Sequence, residues 1–208
     1  MHKGMMTGLA AVVAAITVPV VAQQAGGQRT GAQAGDFRLT DMNGRNVALS
    51  DFKGKPVVLE WHNPGCPFVK KHYDSGNMQR TQAAAVQGGA VWLTINSGAP
   101  GKQGHMSPAE AKAFAGTAKL NATNYLLDPR GVVGKGYGAK TTPHLYVIDA
   151  AGKLVYQGGI DDKPTANVAD IATARNHVTA ALGELRAGQP VSQPETRPYG
   201  CSVKYPES

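Results

Sequence analysis

Cys66 is the residue in this chain best placed to do chemistry. It follows the apolar run Val57-Val58-Leu59-Glu60-Trp61, which suits a buried central strand, and it precedes Pro67, which fits a first helical turn because it has no N–H to lose. A sulfur at such a junction meets unpaired backbone N–H groups and the positive end of the helix dipole. Both favour thiolate over thiol and lower the pKa from a free value of about 8.5. The thiolate is the form that attacks peroxides and disulfides. Strand-to-helix turns at the end of a sheet are ordinarily open, so the sulfur is expected to be accessible. His62, Lys70 and Lys71 are expected to add positive potential around it. Asn63 either holds the loop through side-chain hydrogen bonds or simply makes the turn, and Trp61 either covers the thiolate or packs within its strand.

Two further features bear on that sulfur. Cys201 lies far down the chain, so a bridge to Cys66 would close a long loop, worth about 5 kcal/mol if unstrained. Such a bridge would be either a resolving step in redox chemistry or a purely structural pin for the tail. Thr141-Thr142-Pro143-His144 precedes the apolar strand Leu145–Ile148. Pro143 there either marks a strand edge or forms a cis bond that turns the Thr142 backbone towards an extended partner. A different chemistry is also open: Cys66, His62 and His144 would suit a soft metal such as copper if they converged, although position 70 is Lys where a CxxxC chaperone pair needs cysteine. His72, His105 and His177 read as solvated.

The surrounding elements follow from periodicity. Asp36–Thr40 and Val47–Leu49 alternate about an Asn43-Gly44 turn, giving an N-terminal hairpin. A polar helix is expected from about Phe68 to Gln87, and Ala90–Ile95 is a second buried strand. Ser107, Pro108 and Glu110 make a capping box for a helix ending near Asn121. Tyr125–Asp128 and Leu145–Asp149 are strands, the latter turning at Ala151-Gly152 into Leu154–Gln157. Val168, Ile171, Val178, Leu182 and Leu185 form one helical stripe. Strands alternating with helices give an α/β architecture around a mixed central sheet.

The start of the chain resembles an export signal: basic His2 and Lys3, the apolar stretch Met5–Val21, and small residues up to Ala22. Thr7, Gly8, Thr17 and Pro19 make that stretch a poor membrane span, so residues 1–22 read as a signal peptide and the exported remainder as lacking a membrane anchor. Export would place both cysteines where a disulfide persists. Residues 23–35 read as a flexible leader, 36–187 as the domain, and 188–208, with Pro190, Pro194, Pro198 and Pro206, as an extended tail that must lie across something. Apolar residues at 42% exclude wholesale disorder, and two cysteines exclude a four-cysteine zinc site. The net charge of +7 is scattered rather than interleaved with aromatics, which argues against a nucleic-acid reader.

Residues Leu49–Lys55, Glu60–Lys71, Tyr137–His144 and Thr196–Tyr205 together resemble the thioredoxin-like redoxins, in particular the peroxiredoxin-like branch of the alkyl hydroperoxide reductase and thiol-specific antioxidant family. The resemblance implies a thioredoxin-like fold, a reactive thiol at Cys66, a cis bond at Pro143, and a docking strand at Thr142, Pro143 and His144. Two departures shape the chemistry. Thioredoxins carry a second cysteine where this chain has Val69, so exchange within one helical turn is impossible. Peroxiredoxins carry a proline and a hydroxyl residue where this chain has Leu59 and Asn63, so the hydroxyl that orients a peroxide is missing. The implied activity is thiol oxidoreduction without a cofactor, using Cys66 as nucleophile and Cys201 as resolving partner. The substrate would be a protein disulfide or a peroxide, and an external donor would return the electrons. The alternatives are the copper-binding module and a redox-inactive domain that kept only the docking groove.

Overall fold

The apolar runs become the inner strands of a seven-stranded sheet in a computed structural model that describes residues 27–207. β3 (Val57–Trp61), β4 (Val91–Asn96) and β7 (His144–Ile148) are buried at every position, as strands covered on both faces must be. With β1 (Arg38–Asp41), β2 (Asn46–Ala48), β5 (Asn124–Leu127) and β8 (Leu154–Gly158) they run in the order β2-β1-β5-β4-β3-β7-β8. β3, β4 and β5 are parallel, and the remaining pairings are antiparallel. This is the expected mixed α/β sheet with an N-terminal hairpin.

Alternation along β3 separates two cores. Val57, Leu59 and Trp61 face Tyr137 and Tyr146 on one side. Val58 points to the other, where α1 (Pro67–Asp74), α2 (Asn77–Gln87) and α5 (His177–Arg186) pack over Trp92 and Leu145. α3 (Pro108–Thr117) begins at the expected capping box, with Ser107 Oγ accepting the Glu110 N–H, but ends at Thr117 rather than near Asn121. α4 (Val132–Tyr137) was hidden in the sequence by Gly134 and Gly136, poor helix formers that packing overrides.

Two expected helices are broken. The stretch 68–87 divides at Ser75-Gly76, where Gly76 adopts the left-handed φ of 71° that ends α1 and re-aims the chain into α2. The stripe from Val168 to Leu185 also divides: Val168–Thr173 is a 3₁₀ turn with Val168 exposed, and α5 starts afresh where Asn176 Oδ1 accepts the Thr179 N–H.

Neither end of the described chain is loose. Residues expected in the flexible leader run along β8, with Gly31 N–H donating to Leu154 O, Leu154 N–H to Ala32 O and Ala34 N–H to Gly152 O. They cover an edge that would otherwise stay unpaired. The tail crosses the same strand further along, where Gln157 N–H donates to Pro194 O and Thr196 N–H to Gln157 O. It then forms β9 (Cys201–Ser202), antiparallel to β6 (Thr141–Thr142). The signal-like segment 1–22 and residues 23–26 lie outside the described residues. Among the described residues no helix is long and apolar enough to cross a membrane.

Candidate active site

Cys66 is the N-cap of α1, with extended backbone angles and Pro67 in the first turn, as its position after β3 requires. Its carbonyl accepts the N–H groups of Val69 and Lys70 and so starts the helix. The loop before it is held by Asn63, whose Oδ1 accepts the Gly65 N–H at 2.9 Å and whose Nδ2 donates to Gln103 Oε1 at 2.9 Å. Gly104 backs this amide closely: a Cβ there would stand 2.1 Å from Asn63 Oδ1.

The sulfur is not open to solvent. Cys66 is 0% exposed, against the accessibility its position suggested, because the tail returns over it. Cys66 Sγ lies 2.7 Å from Cys201 Sγ, with both thiols free, and 3.1 Å from Thr142 O, towards which its S–H points. The Cys201 N–H points back at Cys66 Sγ from 3.4 Å. Since a covalent S–S bond is about 2.05 Å, only a short movement separates the pair from a bridge once an oxidant takes two electrons and the two protons leave. The peptide bond before Pro143 is cis, and the Thr142 backbone pairs with Cys201 in β9. The Thr142 edge is therefore paired with this chain's own tail. The approach is close enough that Gly200, at φ 132°, could carry no side chain: a Cβ would stand 2.0 Å from Thr142 O.

The two sulfurs differ in acidity. Burial pushes the Cys66 thiol up, but the Cys201 S–H, the Cys201 N–H and the Val69 N–H outweigh it and hold the thiol below its ordinary range. Cys201 is pushed up to about 11, first by burial and then by its neighbour Cys66. The pair thus divides into an acidic, covered sulfur and a basic, half-buried one.

Several residues expected around the thiol act elsewhere. Trp61 packs between Tyr137 and Tyr146 on the opposite face of the sheet and donates Nε1–H to Ser97 Oγ, so it is a strand-packing residue and does not cover the sulfur. His62 is enclosed by Tyr73, Phe114 and Tyr125, with Nδ1 2.8 Å from Tyr125 Oη. Burial lowers its pKa to about 3, so it is neutral and supplies no positive potential. Lys70 is exposed on α1 and is not among the groups acting on the Cys66 thiol. His144 accepts the Lys140 N–H on Nδ1 at 3.3 Å and is held neutral, at about 3, chiefly by burial. Among the described residues no three His, Cys, Asp or Glu side chains come together to hold a metal, so His62, Cys66 and His144 do not form the copper set considered above.

Two buried polar clusters near the thiol had no clear signal in the sequence. Glu60, six residues before Cys66, is fully buried and accepts from Tyr73 Oη–H, Gln82 Nε2–H, Trp92 Nε1–H and Thr94 Oγ1–H. Burial raises its carboxyl above the ordinary range despite these donors. Beside α1, Lys71 and His72 are buried rather than solvated. Lys71 Nζ donates to Lys163 O at 2.9 Å and stands 3.6 Å from Asp161 Oδ2. The Tyr199 hydroxyl, from the tail, donates to Asp161 Oδ1 at 2.5 Å. His177 is also buried, 8% exposed, in place of the solvated position expected.

The buried histidines make acid the natural denaturant. His62, His72 and His144 have pKa values lowered to about 3, 4 and 3, principally by burial. The unfolded chain therefore binds up to three more protons than the folded one between the free histidine pKa, about 6.5, and pH ~4. Their contribution is complete above that range and is lost as pH falls through it, by up to about 4 kcal/mol per pH unit. Glu60 and Asp128, whose burial raises their carboxyls, blunt the slope. Urea midpoints measured from pH 7 to pH 4.5 should fall steeply, and a flat profile would contradict neutral buried imidazoles.

Comparison with known proteins places this geometry among redoxins. The sequence profile of the AhpC/TSA family matches residues 30–157. The thioredoxin-like protein YneN of Bacillus subtilis (strain 168) is 28% identical over 128 residues, 62% of this chain and 70% of that one. An uncharacterized conserved protein from Geobacillus kaustophilus superposes with a TM-score of 0.74 at 30% identity, covering 86% of this chain and 94% of the other. A hypothetical protein from Sinorhizobium meliloti 1021 has the same fold, with a TM-score of 0.73 at 24% identity over 87% and 97% of the two chains. The chain thus has a thioredoxin-like fold with two cysteines side by side.

Proposed function

Because this chain belongs to the AhpC/TSA family, we propose that it is an exported thiol oxidoreductase in which Cys66 is the nucleophile and Cys201 the resolving cysteine. The observation that carries the reading is the 2.7 Å contact between the two sulfurs across 135 positions of sequence. The Cys66 thiolate attacks one sulfur of an oxidised partner's disulfide, forming a mixed disulfide and releasing the partner's other sulfur as thiolate. The Cys201 thiolate then attacks Cys66 Sγ, which closes the Cys66–Cys201 bond and expels the partner's second thiolate. The partner leaves reduced by two electrons, and an external thiol donor restores both cysteines. With a hydroperoxide the first step would instead leave a sulfenic acid on Cys66, and closure would release water. Disulfide exchange is the better fit, because Asn63 stands where a peroxide-orienting hydroxyl is needed and its amide is committed to Gly65 and Gln103. Export rests on the signal-like residues 1–22.

Peptide mapping under non-reducing conditions tests the reading. After treatment with oxidised glutathione, the Cys66 and Cys201 peptides should be joined and separate on reduction. Two freely alkylated cysteines after that treatment would leave the redox-inactive docking domain as the better account.

A further inference from the structure

The tail is fixed at one point by more than its two-residue strand. Two positions before Cys201, Tyr199 inserts its ring beside Phe68, at 5.9 Å between centroids, and under Lys71 Nζ, 5.7 Å from the ring centre. Its hydroxyl donates to Asp161 Oδ1 and stands 3.3 Å from His72 Nε2. Asp161 also accepts the Lys163 N–H on Oδ1, while its buried Oδ2 has no hydrogen-bond partner and faces Lys71 Nζ at 3.6 Å and His72 Nε2 at 3.8 Å. Everything in this cluster except Tyr199 belongs to the body of the domain. Beside it a groove of about 800 Å³, lined by Phe68, Thr141, Arg197 and Gly200 among others, leaves the outer side of the tail uncovered.

We propose that Tyr199 is a positioning residue for the thiol pair: its hydroxyl, clamped on Asp161 against Lys71 and His72, holds Cys201 on Cys66 and holds β9 over the Thr142 edge. One contact then sets two quantities. It fixes how readily Cys201 reaches the sulfur it must attack, and how often Cys66 and the docking edge are uncovered for a partner. The phenol suits both tasks, because a charge-assisted hydrogen bond to a buried carboxylate is strong, yet its loss leaves the Lys71–Asp161 pair intact within the body. A clamp on a ring alone would lack that directional hold on the backbone around Cys201.

The inference rests on the resolving role of Cys201 proposed above, and the test separates the two. Tyr199→Phe deletes only the hydroxyl. In the reduced full-length protein it should speed alkylation of Cys66 by iodoacetamide about fivefold or more, since cover lost by a kcal/mol or so raises the open fraction by that factor. In the same variant, closure of a Cys66–glutathione mixed disulfide by Cys201 should slow by a similar factor. Opposite changes in the two rates are the signature, because general destabilisation would not slow an intramolecular step while exposing its target. Tyr199→Leu, which likewise removes the hydroxyl and leaves the Lys71–Asp161 pair intact, should reproduce both changes. Wild-type rates for Tyr199→Phe, or two rates moving in the same direction, would overturn the positioning role. Failure of the wild-type protein to form the Cys66–Cys201 bond at all would instead overturn the function proposed above.

Discussion

Cys66→Ser should end thiol–disulfide exchange, with turnover of a disulfide substrate falling to the uncatalysed level, while Cys201→Ser should stall at the mixed disulfide, before its first turnover is complete. The asymmetry follows from the acidities. The Cys66 thiol is held below its ordinary range by the Cys201 S–H and the N–H groups of Cys201 and Val69, against the upward push of burial. A serine hydroxyl in that cradle stays protonated at any physiological pH, and Cys201, pushed up to about 11, is a poor substitute at neutrality. Removing Cys201 leaves an ionisable Cys66 without the sulfur that expels the partner, so a mixed disulfide on Cys66 should accumulate and be seen as an added mass after rapid acid quench. Cys201→Ala removes the side-chain donor to the Cys66 sulfur that serine would keep, so in that variant the alkylation rate should need a higher pH to reach half its plateau. Full multiple turnover by Cys201→Ser would make the tail cysteine a structural pin only.

Lys71→Met should cause a large loss of stability. Lys71 and Asp161 are both almost completely buried, and the side chain of Lys71 is the nearest cation to Asp161 Oδ2. His72 cannot replace it, because burial keeps that ring neutral down to about pH 4. The variant strands a carboxylate in the interior, and breaking one side of a buried pair costs about 3–5 kcal/mol. For a chain of this size that corresponds to a fall in Tm of about 10 °C or more. Lys71→Met combined with Asp161→Asn should regain a large part of the loss, since the stranded charge is gone. An unchanged midpoint for the single variant would mean that Asp161 is compensated by groups other than Lys71.

The sheet was readable because its signals are local. The short, β-branched apolar runs at Val57, Val91 and Leu145 read as strands covered on both faces, and Ser107-Pro108-Ala109-Glu110 writes its own helix start. The position of Cys66 between strand and helix was legible for the same reason. Its burial was not, because the cover arrives from residues more than a hundred positions away. Lys71 reads as positive potential for the thiol and His72 as solvated, and nothing near those residues announces that Asp161 and Tyr199 will close over them. A polar run over 68–87 and an apolar stripe over 168–185 each read as one helix, and neither signal registers that Gly76 turns left-handed or that Asn176 opens a new cap. His62 and Trp61 sit beside Cys66 in sequence, but alternation sends Trp61 to the other face of the sheet and aromatic rings wall His62 in.

Gly200 has a bearing on how the sequence can drift. Where two main chains meet with only a hydrogen between them, every missense change inserts an atom into a carbonyl oxygen. The position ahead of the tail cysteine thus admits only glycine while the contact is kept, a restriction the exposed neighbour Ser202 does not carry. Lineages keeping the cysteine while losing that glycine would be expected to have abandoned the sulfur-to-sulfur contact altogether.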